Sequence, residues 1–223
     1  MSAWLLSVGV VNPLLFLSAV MLLNLTPGPD TAYIVGRSLA QGPRAGVLSA
    51  LGISLGCCVH CLLCAFGLTA LLAASANAFL IIKFIGALYL VVLGVRMCWQ
   101  RPAPIASAAA MKAAEPSPAR PARQLVLQGF LTNVLNPKVI LFFVAFFPQF
   151  VLRDSDQKVI ALLVLGAMFV IMSTLYNTLM AWLSGAITAR VRQVSGLSLW
   201  LERGVGAAFI ALGARLAFIK QPL

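Results

Sequence analysis

The sequence predicts an all-α integral membrane protein: six transmembrane helices in a 3+3 inverted repeat, with helices 1 and 4 broken at proline motifs. Three observations carry that prediction. Of 223 residues, 61% are hydrophobic and only 9% charged, against roughly 25% charged in a soluble domain. The apolar residues fall into six blocks of spanning length. The first and fourth blocks are each interrupted by proline beside an ionisable side chain.

Composition removes whole classes of protein. A soluble domain covers its core with polar side chains, and at a mean hydropathy of +1.00 the residues for that cover are missing. The 16 Lys and Arg against 5 Asp and Glu give a net charge of +11. In a soluble chain that excess would suggest nucleic acid. Here it is an orientation signal, and no nucleic-acid partner is expected. Cys57, Cys58, Cys61 and Cys64 crowd into one apolar run with Cys98 apart, which is not a disulfide framework. No Lys or Arg precedes the first apolar stretch, so the N-terminus reads as retained.

The six blocks run from Leu5 to about Gly36, Val47 to about Leu72, Phe79 to Met97, Leu125 to Val151, Val159 to Leu183 and Leu199 to Phe218. A spanning helix needs roughly 17–25 apolar residues. Backbone groups in hydrocarbon must be satisfied internally, so the blocks read as helices, and a barrel would show short alternating segments instead. Trp4, Trp99, Trp182 and Trp200 sit at block ends, where amphipathic rings favour the membrane interface.

Charge then orients the bundle. The connections after blocks one, three and five hold Arg37, Arg44, Arg96, Arg101, Lys112, Arg120, Arg123, Arg190, Arg192 and Arg203. The opposite side holds Arg153, Lys158, Arg215 and Lys220. The positive-inside rule places both termini on the periplasmic side. Residues 99–124 carry Pro102, Pro104, Pro116, Pro118 and Pro121 in Ala- and Ser-rich sequence, a flexible cytoplasmic linker with too little to bury. It divides the chain into three-helix repeats, 1–98 and 125–223.

An internal repeat supports that division. Lys83, Gly86, Ala87 and Tyr89 of block three recur as Arg203, Gly206, Ala207 and Phe209 of block six, each followed by Gly-x-Arg, at Gly94 and Gly213. Three spans per half invert the second half relative to the first. Matching proline-broken segments in such halves point to a secondary transporter's binding site, and Gly86, Gly94, Gly206 and Gly213 permit close helix contact.

The most informative stretch is Asn24-Leu25-Thr26-Pro27-Gly28-Pro29-Asp30. Pro27 and Pro29 remove two backbone donors, and Gly28 permits unusual dihedrals. Carbonyls before the break lose their partners, and the next helical section presents free N–H groups near Asp30. Asp30 suits a substrate ammonium or a coupling proton, or else caps the resuming helix. Its counterpart is Asn133, Asn136, Pro137 and Lys138. A lysine deep in a 27-residue apolar block is expensive unless paired or hydrated. It could attract a carboxylate, pair with Asp30, or snorkel. One Asp and one Lys on two broken helices suit a zwitterion. Asn177 in block five is a further amide for the same cavity.

Cys57, His60, Cys61 and Cys64 sit at i, i+3, i+4 and i+7, on one helical face. Soft ligands of this kind suit Zn²⁺, which keeps open a metal or inorganic cation efflux protein of the same architecture. One helix seldom closes a four-ligand shell, free Cys packs well as a small hydrophobe, and His60 is a candidate for the polar cavity. No metal or cofactor is assigned. No phosphate loop, His-Glu-x-x-His or Gly-x-Ser-x-Gly motif is present, so the chain is not expected to be an enzyme.

Thr26-Pro27-Gly28-Pro29-Asp30 with Arg37 to Gly46, Leu51 to Gly56 with His60, Lys83 to Leu90, and Gln128 to Lys138 together resemble the signatures of the LysE/RhtB family of amino-acid exporters. The resemblance covers nearly the whole chain in order. It implies a bacterial inner-membrane exporter of amino acids or close derivatives, driven by the proton motive force, with a homodimer as a further possibility. Carried onto this chain, the family's interrupted helices match Pro27 to Asp30 and Asn136 to Lys138. Cys57-Cys58 departs from the pattern and leaves the substrate open.

Overall fold

The computed structural model describes residues 2–70, 76–99, 120–152 and 155–186, with isolated helical positions between 204 and 214. Most of the linker, Trp200, Arg203 and the repeat motif around Gly206 lie outside the described residues. The elements are α1 (Ser2–Ser7), α2 (Pro13–Leu25), α3 (Pro29–Gln41), α4 (Pro43–Leu63), α5 (Ala76–Trp99), α6 (Ala122–Val134), α7 (Pro137–Phe146) and α8 (Lys158–Ala186). A π-helical turn, Cys64–Leu68, extends α4, and a 3₁₀ turn, Phe147–Phe150, extends α7. The fold is all-α. Among the described residues, Pro43–Gly67 and Lys158–Ser184 are long and apolar enough to cross a membrane. The pair α6–α7, bent by 52°, makes a third span if taken as one.

Proline opens half of these helices. Pro13, Pro29, Pro43 and Pro137 each open a helix, where the missing N–H is one the first turn would leave unpaired anyway. Each also pushes the preceding residue out of the helical region. Gly28 is fully extended (φ −163°, ψ −175°) and Asn136 has φ −78°, ψ 108°. Asn136 is the N-cap of α7, its side chain accepting from the Lys138 N–H at 3.1 Å. Asn136→Ala should therefore lower stability by about 1 kcal/mol. Thermal unfolding of the purified protein in detergent checks this, and an unchanged Tm would deny the cap any stabilising role.

The first block holds two breaks where the sequence predicts one. Gly9 (φ 89°) and Asn12 (φ 50°) turn the chain between α1 and α2. The turn docks on the end of α7: Val11 N–H donates to the Phe150 carbonyl and Leu152 N–H to the Gly9 carbonyl, both at 2.9 Å. Val10 and Val151 form the antiparallel bridge that results.

The core is aromatic. Phe16 of α2, Phe142, Phe143 and Phe146 of α7, Phe147 and Phe150 of the 3₁₀ turn and Phe169 of α8 are its largest fully buried side chains. Phe143 stacks on Phe147 at 4.2 Å and meets Phe169 edge-on at 4.7 Å, arrangements that the ring quadrupole favours. The outside is also apolar. Leu14, Leu63, Leu88, Leu135, Leu175 and Trp182 are each more than half exposed, while Thr26, Ser49, His60, Asn133 and Asn136 are buried. An apolar exterior with the polar groups drawn inside suits a lipid solvent. Trp4 and Trp99, at block ends, are exposed too.

Helix α4 packs most extensively on α6 and then on α8. The α4–α6 seam is the closest backbone approach. A Cβ on Gly52 would collide with the Val126 carbonyl, and one on Gly129 with the Ser49 carbonyl. Gly94, one of the glycines picked out by the repeat, is buried in α5.

Candidate functional site between two broken helices

The two proline breaks meet, and each supplies what the other lacks. In a continuous helix the Leu23 carbonyl would accept from residue 27, but Pro27 has no N–H. Lys138 Nζ donates to the Leu23 carbonyl at 2.8 Å and to the Thr26 carbonyl at 2.7 Å. The cation from the second break thus closes the negative end of α2. Lys138 turns inward to those carbonyls, so the snorkelling alternative does not hold.

Asp30 lies in the first turn of α3, at the positive end of that helix. It is not the N-cap. Pro29 occupies the first helical position, which makes Gly28 the cap residue, without a side-chain bond. The Asp30 carboxylate instead accepts from Asn133 Nδ2 at 2.7 Å. Asn133 is fully buried near the end of α6. Asp30 Oδ1 and Asn133 Oδ1 are both buried without a hydrogen-bond partner among the described residues. An unpartnered buried carboxylate oxygen on Asp30 suits an incoming donor.

These groups open on one cavity. Asp30, Lys138, Asn133, Asn136, Gly28 and Asn177 line it, with Leu23, Ile53, Cys57, Val139 and Phe169 as apolar wall. Of the sequence-predicted residues, Pro27, Pro29 and Pro137 act through the breaks they create. His60 stands one layer behind. It is buried, with Nε2 3.2 Å from the Asn133 carbonyl and its ring 5.6 Å from Phe143. Asn24 belongs to the stretch singled out in the sequence, with no role assigned there, and Ser173 adds to it: they line the cavity and bond each other, Nδ2 to Oγ, at 3.1 Å. Ser173 sits four residues before Asn177, and that polar i, i+4 pair in an apolar block was the signal available.

Cys57, His60, Cys61 and Cys64 do share a face of α4, with Cys57 on the cavity wall and the other three against helix partners. Cys61 packs on Gly166, and Cys64 Sγ points to the Phe143 carbonyl at 3.7 Å. Among the described residues, no group of three or more His, Cys, Asp or Glu is placed to hold a metal ion.

Lys138→Met should destabilise the protein by about 2 kcal/mol, because two carbonyls at the α2 end lose a charged donor. Thermal unfolding, with Lys138→Arg as the charge-conserving comparison, measures this. Equal Tm values for Met and wild type would mean the contacts are dispensable.

Fold and site together define a multi-pass helical membrane protein with charged side chains gathered where two broken helices meet. The family model described as LysE type translocator matches residues 21–219, and the chain belongs to that family. It is therefore a membrane transporter of the LysE/RhtB efflux type and not an enzyme. It is 32% identical over 215 residues to an uncharacterized membrane protein of Pseudomonas aeruginosa, covering 95% of this chain and 97% of that protein. It is 32% identical over 210 residues to a leucine efflux protein of Enterobacter sp. (94% and 96% covered). A leucine efflux protein of Klebsiella pneumoniae is 27% identical over 213 residues (96% and 98% covered). No solved structure matches the chain.

Proposed function

We propose that this protein exports an amino acid or close derivative across the bacterial inner membrane, with an apolar amino acid such as leucine as the first candidate. The observation that carries the reading is the pairing of Asp30 and Lys138 on one cavity, each beside a proline break. The unpartnered acceptor Asp30 Oδ1 suits a substrate ammonium. The Lys138 ammonium suits its carboxylate. Ile53, Val139 and Phe169 would receive an apolar side chain. The relatives named for leucine efflux support that choice.

In this reading the six apolar blocks form the 3+3 inverted repeat, and alternating access rocks one half against the other around the two breaks. Protonation of Asp30 frees the ammonium and couples export to the proton motive force. The arginine-rich connections lie in the cytoplasm, with both termini periplasmic.

Vesicles containing the purified protein, loaded in parallel with labelled leucine, threonine and lysine, test this. Leucine efflux that an imposed pH gradient accelerates is the expected result. Efflux of none of the three, with or without the gradient, would overturn it.

A further inference from the structure

A second polar cluster lies on α3 beyond the cavity. Arg37 is seven residues past Asp30, about 10 Å along the helix at 1.5 Å per residue. Tyr33, Arg37 and Gln41 follow one another at i, i+4, i+8 and so share a face. One end of that face is tied to α6 and the other to the chain leading into it. The single Tyr33 Oη proton is shared between the Leu125 carbonyl at 3.0 Å and Gln128 Oε1 at 3.2 Å. Gln41 Oε1 accepts from the Arg120 backbone N–H at 3.2 Å. Arg120 Nη1 reaches Gln128 Oε1 at 2.5 Å. Arg37 sits between the two tethers, its guanidinium carbon 5.5 Å from the centre of the Tyr33 ring.

The hydrogen-bond count of this cluster does not balance. Its side-chain acceptors, Gln41 Oε1 and Gln128 Oε1, are already taken. Its leftover groups are donors: Arg37 Nε and Gln41 Nε2 are buried without a partner among the described residues. Arg37 is only 6% exposed. A guanidinium withdrawn from water without a counter-charge is costly, and the Tyr33 ring offsets only part of that. The acidic side chains among the described residues, Asp30 and Asp156, bond neither arginine.

We propose that Arg37, Gln41 and Arg120 form a binding site for an oxyanion, separate from the central cavity. The site takes a phosphate or carboxylate group, carried by a lipid headgroup or by a free anion. A planar guanidinium with an adjacent amide donor matches the two oxygens of such a group. Bound there, the anion ties the end of α3 to the start of α6, the two helices that carry Asp30 and Asn133.

Two measurements on the purified full-length protein separate the sources. Native mass spectrometry after reconstitution in mixed phosphatidylglycerol and phosphatidylcholine reads retained lipid. Thermal shift in neutral, lipid-free detergent with sodium phosphate or sodium acetate reads free anion. Phosphatidylglycerol retained in preference to phosphatidylcholine assigns the headgroup. A shift with phosphate or acetate assigns the free anion. In either case Arg37→Gln and Arg120→Gln should weaken binding about 10-fold, the loss of one charge-assisted hydrogen bond. Arg37→Lys should weaken it less. Where Arg37→Gln does not fold, the half-buried Arg120 decides the matter. Arg44→Gln and Arg123→Gln, at exposed positions, should leave binding unchanged, and an equal loss there would reduce the effect to general surface charge and overturn the site. No binding of any probe to the wild type, or binding indifferent to both test substitutions, would also overturn it. Asp30→Asn should retain the anion while losing transport, so this site and the transport reading stand or fall separately.

Discussion

Asp30→Asn is expected to lower substrate export by about 10- to 100-fold while leaving the protein folded. The estimate takes the substitution to remove one charge-assisted bond, about 1.5–3 kcal/mol, with each 1.4 kcal/mol a factor of ten. The amide keeps an acceptor for Asn133 Nδ2, which now lies 2.7 Å from the carboxylate, so packing around α3 and α6 is preserved. It removes the negative charge that would meet an ammonium and the group that would carry a proton. Efflux from loaded vesicles, measured beside the Tm, separates the two effects. Normal gradient-driven efflux by a folded Asn variant would take Asp30 out of the mechanism. Loss of both efflux and folding would make it structural.

Gly52→Val is the substitution with the largest expected effect on the fold. A Cβ on Gly52 would overlap the Val126 carbonyl and lie 2.9 Å from the Phe130 nitrogen. Both are backbone atoms of α6, so no side-chain rotation relieves the clash. Overpacking ordinarily costs about 1–3 kcal/mol, and here the relief requires separating two helices. That is enough to threaten a total stability of about 5–15 kcal/mol. The expected result is little folded protein on size-exclusion chromatography of detergent extracts. A monodisperse Val variant with the wild-type Tm would show that α4 and α6 do not meet this closely. The same seam serves the site. Gly56, one turn further along α4, leaves room for Asn133, whose Oδ1 would lie 2.7 Å from a Cβ there. Asn133 reaches Asp30 because α4 is bare of side chains where it passes.

Much of the site was readable because its causes are local. Pro27, Pro29 and Pro137 break their helices whatever surrounds them, since the clash with the preceding residue and the missing N–H belong to the proline itself. Charge in an apolar block is costly enough to be rare, which made Asp30 and Lys138 visible. Asn177 could be placed near them as a polar residue in an apolar helix. The break at Gly9 to Asn12 was equally local and was passed over, because the apolar run around it looked continuous.

The order of residues is enough to locate the breaks in the helices of this membrane protein and the scarce charges beside them. What those charges touch depends on how the helices pack. Lys138 closes the carbonyls of α2, Asn133 holds Asp30, and His60 supports Asn133 from behind, across separations of 115, 103 and 73 residues. Asp30 could not be told from a helix cap, nor the Cys57–Cys64 face from a metal site, by spacing alone. Periodicity fixes the direction in which a side chain leaves its own helix. The partner it meets depends on which other helix lies there, and the glycine seam between α4 and α6 sets that distance.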